Sequence, residues 1–245
     1  MDQKESPAAQ LQGPKYLACE SRIIYLLLMI AGGMMGAYTY NVRGGVFCNA
    51  QTANIVMMAV ALGNSEWRAG LYYLIPISAY CLGAFVSEAL PSPVKRRGLL
   101  RWDTYLIAFE MLVLLAIGFL PLSLPHQIVQ VSVNFIASMQ YNTFRQAEGT
   151  PMATTFCTNH VRQVGIALAK IVRKGDMAAR SRGSVHLRML VGFLLGGTAM
   201  TVLCRFFPRQ AVWLTLIPLG VVLYQLIYAD LGAEHELFDR KPGGH

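Results

Sequence analysis

Charge is the scarcest commodity in this chain: only 14% of its 245 residues are Asp, Glu, Lys or Arg, and acidic residues number 13 against 21 basic ones. A soluble domain carries roughly 25% charged residues, so this sequence cannot wet an ordinary globular surface. Cysteine is sparse as well. Cys19, Cys48, Cys81, Cys157 and Cys204 stand far apart, which excludes the paired spacings of zinc and dithiol motifs and leaves them as small packing residues. There is no nucleophile elbow, no phosphate-cradling glycine loop and no paired-carboxylate motif, so the reading is a non-enzyme with neither cofactor nor metal. The first apolar run lacks a cleavage site of the secretory kind and continues long enough to span.

What is abundant is apolar surface. Hydrophobic residues make up 54% of the chain, and the mean hydropathy is +0.42. Eight apolar segments follow a polar stretch at 1–20: 23–40, 45–62, 67–90, 102–124, 127–144, 153–172, 187–207 and 211–231. Each has about the 17–25 residues that a spanning helix needs, so the expected fold is an all-α polytopic membrane protein. The net charge of +8 then marks loops that face the cytoplasm and not a nucleic-acid surface. The polar stretch 1–20 and the last fourteen residues, 232–245, read as tails. Trp67, Trp102 and Trp213 near segment starts fit interfacial anchoring. Gly32 with Gly36, and Gly192 with Gly196, are small-xxx-small pairs that allow close helix approach.

Two segments depart from the apolar pattern. The second opens with Cys48, Asn49, Gln51, Thr52 and Asn54, and the sixth with Thr154, Thr155, Thr158, Asn159, His160, Arg162 and Gln163. Such polarity is expensive in hydrocarbon, so these stretches should face protein or a water-filled cavity. They also resemble each other: Val46-Phe47-Cys48-Asn49 aligns with Thr155-Phe156-Cys157-Thr158, and Tyr38-Thr39-Tyr40 ends its segment much as Tyr141-Asn142-Thr143 does. An internal duplication follows, with one membrane repeat at 21–124 and the other at 125–231.

Counting basic residues bears on topology. With eight spans the side holding both tails has twelve Lys and Arg and the other eight; with the two polar segments re-entrant and six spans the count is sixteen against four, Arg162 being left out of both. The six-span arrangement obeys the positive-inside rule better, and it makes the repeats inverted, a recurrent transporter plan. Eight spanning helices are the alternative.

The residues that carry the duplication also carry a resemblance. The stretch GAYTYNVRGGVFCNAQTAN from Gly36 to Asn54, with MQYNTFR from Met139 to Arg145 and ATTFCTNHVR from Ala153 to Arg162, resembles the YoaK-like family of bacterial polytopic inner-membrane proteins. The likeness extends over nearly all of 22–231. It implies a multi-pass protein of the bacterial inner membrane and supplies no established activity. This chain has Gly36 where the family often has Asp, Thr52-Ala53-Asn54 for its Thr-Gly-Asn, and Thr158-Asn159 for its second Thr-Gly.

These observations select a set of candidates. Asn49, Gln51, Thr52, Asn54, Gln140, Asn142, Thr155, Thr158, Asn159 and Arg162 are expected to bind a small polar or anionic solute near the midplane, either as part of a transporter or channel or, in the competing reading, as glue within a sensor, lipid-binding or assembly protein. Arg162 is the leading candidate, because an ionisable group inside a segment is a functional hypothesis by default. It would contact the solute or a counter-ion, pair with Glu110, or snorkel to an interface. Glu110 and His160 are candidates for proton coupling. The bilayer and the solute are the expected partners, nucleic acid is not, and a homo-oligomer is open.

Overall fold

The computed structural model describes residues 16–90, 98, 100–238 and 240–244. It is helical apart from one small hairpin. In chain order the helices are α1 (Arg22–Val42), α2 (Gln51–Gly63), α3 (Trp67–Ala89, broken at Tyr73), α4 (Trp102–Ile117), α5 (His126–Thr143), α6 (Thr158–Lys174), α7 (Met177–Phe206) and α8 (Leu216–Leu231), the last entered through a 3-10 turn, Gln210–Thr215. The hairpin pairs β1 (Gln146–Ala147) with β2 (Thr150–Pro151), a feature the all-α expectation lacked. Among the described residues, four stretches are long and apolar enough to cross a membrane: Arg22–Val42, Trp67–Ala89, Met177–Phe206 and Gln210–Leu231.

Local chemistry sets the boundaries. Ser21 caps α1, its side chain accepting from Ile23 N. The break at Tyr73 sits just ahead of Pro76, whose missing N–H leaves the Tyr72 carbonyl without its helical donor. Gly175, at φ 61°, ends α6, and Asp176 starts α7 by accepting from Ala179 N at 3.0 Å. That bond holds the Asp176 carboxyl below its ordinary range. Helix α7 therefore begins ten residues before the expected 187, whereas the second and sixth segments are helical only from Gln51 and Thr158.

The helices pair in two parallel couples. Gly192 lies over Leu26 and Gly196 over the Ile30 carbonyl, while a Cβ on Gly33 would meet the Phe193 carbonyl; backbones touch where small residues permit it. The second couple repeats this. Gly83 of α3 faces the Phe135 carbonyl of α5, and Ser138 Oγ donates to Tyr80 O at 2.5 Å. Helices α4 and α8 pack on each other and against α5 and α1 respectively.

Polarity is turned inside out. Leu112, Phe119, Leu194, Leu195, Ile217 and Tyr228 point outward and are exposed, whereas Gln130, Asn134, Ser138 and Gln140 of α5 are fully buried. A contiguous apolar exterior of this extent is what a lipid-facing surface requires.

The bundle has two distinct ends. At one, Arg43 is fully buried and donates to the Leu120 and Pro121 carbonyls and to the Tyr38 hydroxyl, all at 3.4 Å. Tyr38 in turn donates to Arg209 O, and Tyr72 donates to Gln130, whose amide donates to Arg43 O. At the other end the chain termini meet. Arg101 donates to the carbonyls of Leu237 and Arg240, both at 3.1 Å, and Asp230 accepts from Arg101 N and Thr104 Oγ1. Glu234 accepts from Ala18 N at 2.6 Å, and burial holds its carboxyl above the ordinary range. So the segments expected as free tails are tied down at Ala18–Glu20 and around Glu234. Residues 1–15 and the basic positions Lys95, Arg96 and Arg97 lie outside the described residues.

A buried polar cluster on helix α1

After α1 the chain passes Gly44 and Gly45, at φ +83° and +71°, left-handed conformations that glycine adopts without strain. This turn sends 46–50 back into the bundle. Asn49, 5% exposed, donates its amide to Gly32 O at 3.0 Å, halfway along α1, and a Cβ on Gly36 would lie 3.0 Å from the same amide. Helix α2 then starts at Gln51 and heads back toward the end where Tyr72 meets Gln130.

The second polar segment enters from the opposite end. After the hairpin, 152–157 run inward without helix until Thr154 presses on the other side of Gly32: a Cβ there would sit 2.7 Å from Thr154 O and 3.3 Å from Thr155 Cα. One glycine of α1 therefore touches both segments, and a larger residue there would have to displace the Thr154 backbone.

Around this meeting point the polar groups are deeply buried. Glu110, Gln140, Thr154 and Thr155 are all fully inaccessible. With the Gln140 amide nitrogen turned to α4, it lies 2.8 Å from Glu110 Oε1 and 3.3 Å from Oε2, while Gln140 Oε1 accepts from Thr154 Oγ1 at 3.1 Å. The reverse orientation of the amide suits a protonated Glu110, which would donate to Gln140 Oε1. Gln140 thus links the carboxyl to the second segment in either state. The buried Thr155 hydroxyl makes no close hydrogen bond among the described residues, and the Tyr80 hydroxyl is its neighbour.

The first segment is held by α5. Gln51 donates to Asn134 at 2.7 Å and to Cys48 O, Asn54 donates to Phe47 O and Gln51, and Asn134 donates to Gln130 O. Gln130, Asn134 and Ser138 recur every four residues, so they form one stripe down α5. That i, i+4 amide spacing was visible in the sequence and identifies Gln130 and Asn134, which the motif reading passed over along with Thr154 and Arg43.

Other expected residues lie apart from the cluster. Thr52 and Thr158 are exposed on their helices. Arg162, expected to project toward a solute or Glu110, is exposed on the fifth residue of α6, and its guanidinium donates to Asn159 Oδ1 at 3.1 Å. It does not pair with Glu110. The reason is that α6 begins at Thr158, after the chain has reached the centre, so Arg162 is already on the way out. The arginine that is fully buried is Arg43.

Asn142 donates to Ser87 at 2.7 Å and to Glu88 at 3.2 Å, next to an Arg145–Glu88 ion pair of 2.7 Å. With Asn159, Tyr141 and Phe156 it lines a cleft of about 330 Å³ at the end where the termini meet. His160 is buried: Nε2 is 2.9 Å from Ala153 O and Nδ1 is 3.0 Å from His186 Nδ1. No group of three or more His, Cys, Asp or Glu able to hold a metal occurs among the described residues.

An apolar exterior, long hydrophobic helices and a buried polar centre define a helical membrane protein. Residues 24–225 match the family described as "Protein of unknown function (DUF1275)", so the chain belongs to that family, in agreement with the YoaK-like resemblance. No curated protein and no solved structure matches it.

Proposed function

We propose that this protein is a small secondary transporter or channel of the bacterial inner membrane, which binds a small polar or anionic solute between its two polar segments. The observation that carries this reading is the contact of both segments with Gly32, beside the inaccessible Glu110, Gln140, Thr154 and Thr155. Polar groups this deep in an apolar bundle mark solute or ion paths more often than scaffolding. The Thr155 hydroxyl, beside Tyr80 and without a close hydrogen bond, is the donor offered to a solute, and Glu110 with Gln140 is the proton-coupling element.

The proposed topology has six crossing helices, α1, α3, α4, α5, α7 and α8, with 46–63 and 152–174 re-entrant from opposite faces. Several contacts support it. Tyr72 and Arg43 meet at one end through Gln130, so the chain leaves and re-enters at that end around the first polar segment. Helices α1 and α7 run parallel, which is consistent with both starting on the side where the termini meet. The exchange of partners, α1 with α7 and α5 with α3, is what two inverted halves would produce.

A non-transporting role is the second reading. It is favoured by the amides of Asn49, Gln51 and Asn54, which are spent on protein partners. Uptake of labelled carboxylates, phosphate and neutral polyols into proteoliposomes separates the two: flux lost in Glu110→Gln supports transport, and absence of flux for every class overturns it. Single cysteines at Arg97 and Arg182, in a cysteine-free background, should be labelled from one face of the membrane, and labelling from opposite faces would remove the six-span topology.

A further inference from the structure

At the end where the termini meet, a cleft of about 250 Å³ opens between the hairpin, α6 and the start of α7, separate from the cluster at Gly32. Lys170 and Arg182 flank it, His186 lies at its wall, and Gly149 and Thr150 contribute backbone. No carboxylate lines it. Asp176 interacts with both cations from outside the lining and accepts from Ala179 N. The other charged groups on the hairpin side, Arg22 and Glu148, neutralise each other in a 2.8 Å ion pair.

The tautomer of His186 follows from its neighbours. Ala153 O can only accept, so His160 Nε2 carries a proton and neutral His160 presents a bare Nδ1. His186 must therefore donate from its own Nδ1 across the 3.0 Å contact. Its Nε2 is left as an acceptor, and the ring lines the cleft. A proton added there converts it to a donor without disturbing His160, and two cations plus a third donor then surround the space.

We propose that this cleft binds a compact oxyanion, a phosphate or carboxylate group, through Lys170 and Arg182, and that binding takes up one proton from water onto His186 Nε2. The group could come from a soluble solute or from a lipid headgroup. Because binding is read without flux, this site and the transport reading can fail independently.

Sulfate is the probe, since its own charge is constant across the useful range. Full-length protein in phosphatidylcholine nanodiscs should bind sulfate in titration calorimetry at low salt. Affinity should fall as pH rises from about 4, by up to about tenfold per pH unit, and level off once the proton is no longer held in the complex. Lys170→Gln and Arg182→Gln should each weaken binding by about tenfold or more, and Arg188→Gln, outside the cleft, should not. His186→Gln should retain binding and lose its pH dependence. Replacing part of the lipid with phosphatidylglycerol decides the source: competition indicates a headgroup and unchanged affinity a soluble anion. Absence of sulfate binding at about pH 4, unchanged affinity in both cation variants, or pH dependence surviving in His186→Gln would overturn the proposal.

Discussion

Gly32→Ala tests the meeting of the two polar segments most directly. The new methyl would lie 2.7 Å from Thr154 O, where ordinary van der Waals contact begins at 3.4 Å, so the second segment or α1 must give way by most of that difference. The opposing atom is backbone, which cannot swing aside as a side chain would. Overpacking of this kind costs about 1–3 kcal/mol, and relief of the glycine penalty in a helix returns about 1 kcal/mol. The net is a loss of about 0–2 kcal/mol, small enough for the protein to fold. Function should suffer more, because a shift of Thr154 and Thr155 by a good part of an ångström moves groups that must hold solute, and misplacement of about 1 Å can cost about a hundredfold. Gly165→Ala is the control: it is also in a helix, and its Cβ would meet nothing within 4 Å. Thermal unfolding in detergent and solute flux in proteoliposomes are the paired assays. Wild-type flux in Gly32→Ala, or equal impairment of Gly165→Ala, would refute the argument that the segments act through this contact.

Three further outcomes are expected. Glu110→Gln keeps the hydrogen bonds to Gln140 but cannot ionise, so it should fold normally, and any flux that remains should no longer vary with pH. Arg43→Met should lower the unfolding temperature in detergent, because the part-buried hydrogen bonds to the Leu120 and Pro121 carbonyls are lost at about 0.5–1.5 kcal/mol each; an unchanged midpoint would contradict the buried role of Arg43. Glu234 has its carboxyl raised by burial. The folded state then holds the proton more tightly than the unfolded one, so this group's contribution is fully present below the ordinary carboxylate range and declines as pH rises through the raised value. Glu234→Gln should flatten that part of the stability profile, measured as unfolding midpoint from about pH 4 upward.

Much of the architecture was legible because its cause is compositional. Long apolar runs with few charges have one stable destination, and the helices at 22–42, 67–89 and 210–231 follow the hydropathy closely, whereas the one at 177–206 starts well ahead of its apolar run. The small-xxx-small pair Gly192 and Gly196 correctly announced a close crossing with α1. The pair Gly32 and Gly36 was read the same way and serves differently, since its neighbours are the polar segments and the α7 crossing falls on Gly33. Spacing shows that a face is bare of side chains without showing what lies against it. The polar residues divided for the same reason. Asn49, Gln51, Asn54, Gln140, Thr155 and Glu110 came together or next to one another, whereas Thr52, Thr158 and Arg162 share the motif and face outward. A motif read as one block hides the point at which extended chain becomes helix, and only residues before or just after that point reach the centre.

The sequence by itself determined the solvent. With few charges and abundant apolar residues the exterior had to be hydrocarbon-facing and the backbone helical, because unpaired amides are too costly in lipid. The tertiary structure decided which polar groups are enclosed. Two stretches remote in the chain enter the bundle from opposite ends and stop at one glycine, and this places Glu110, Gln140, Thr154 and Thr155 together while leaving Arg162 outside. Burial depends on the path of the chain between helices, and that path is fixed by packing partners that no local pattern records.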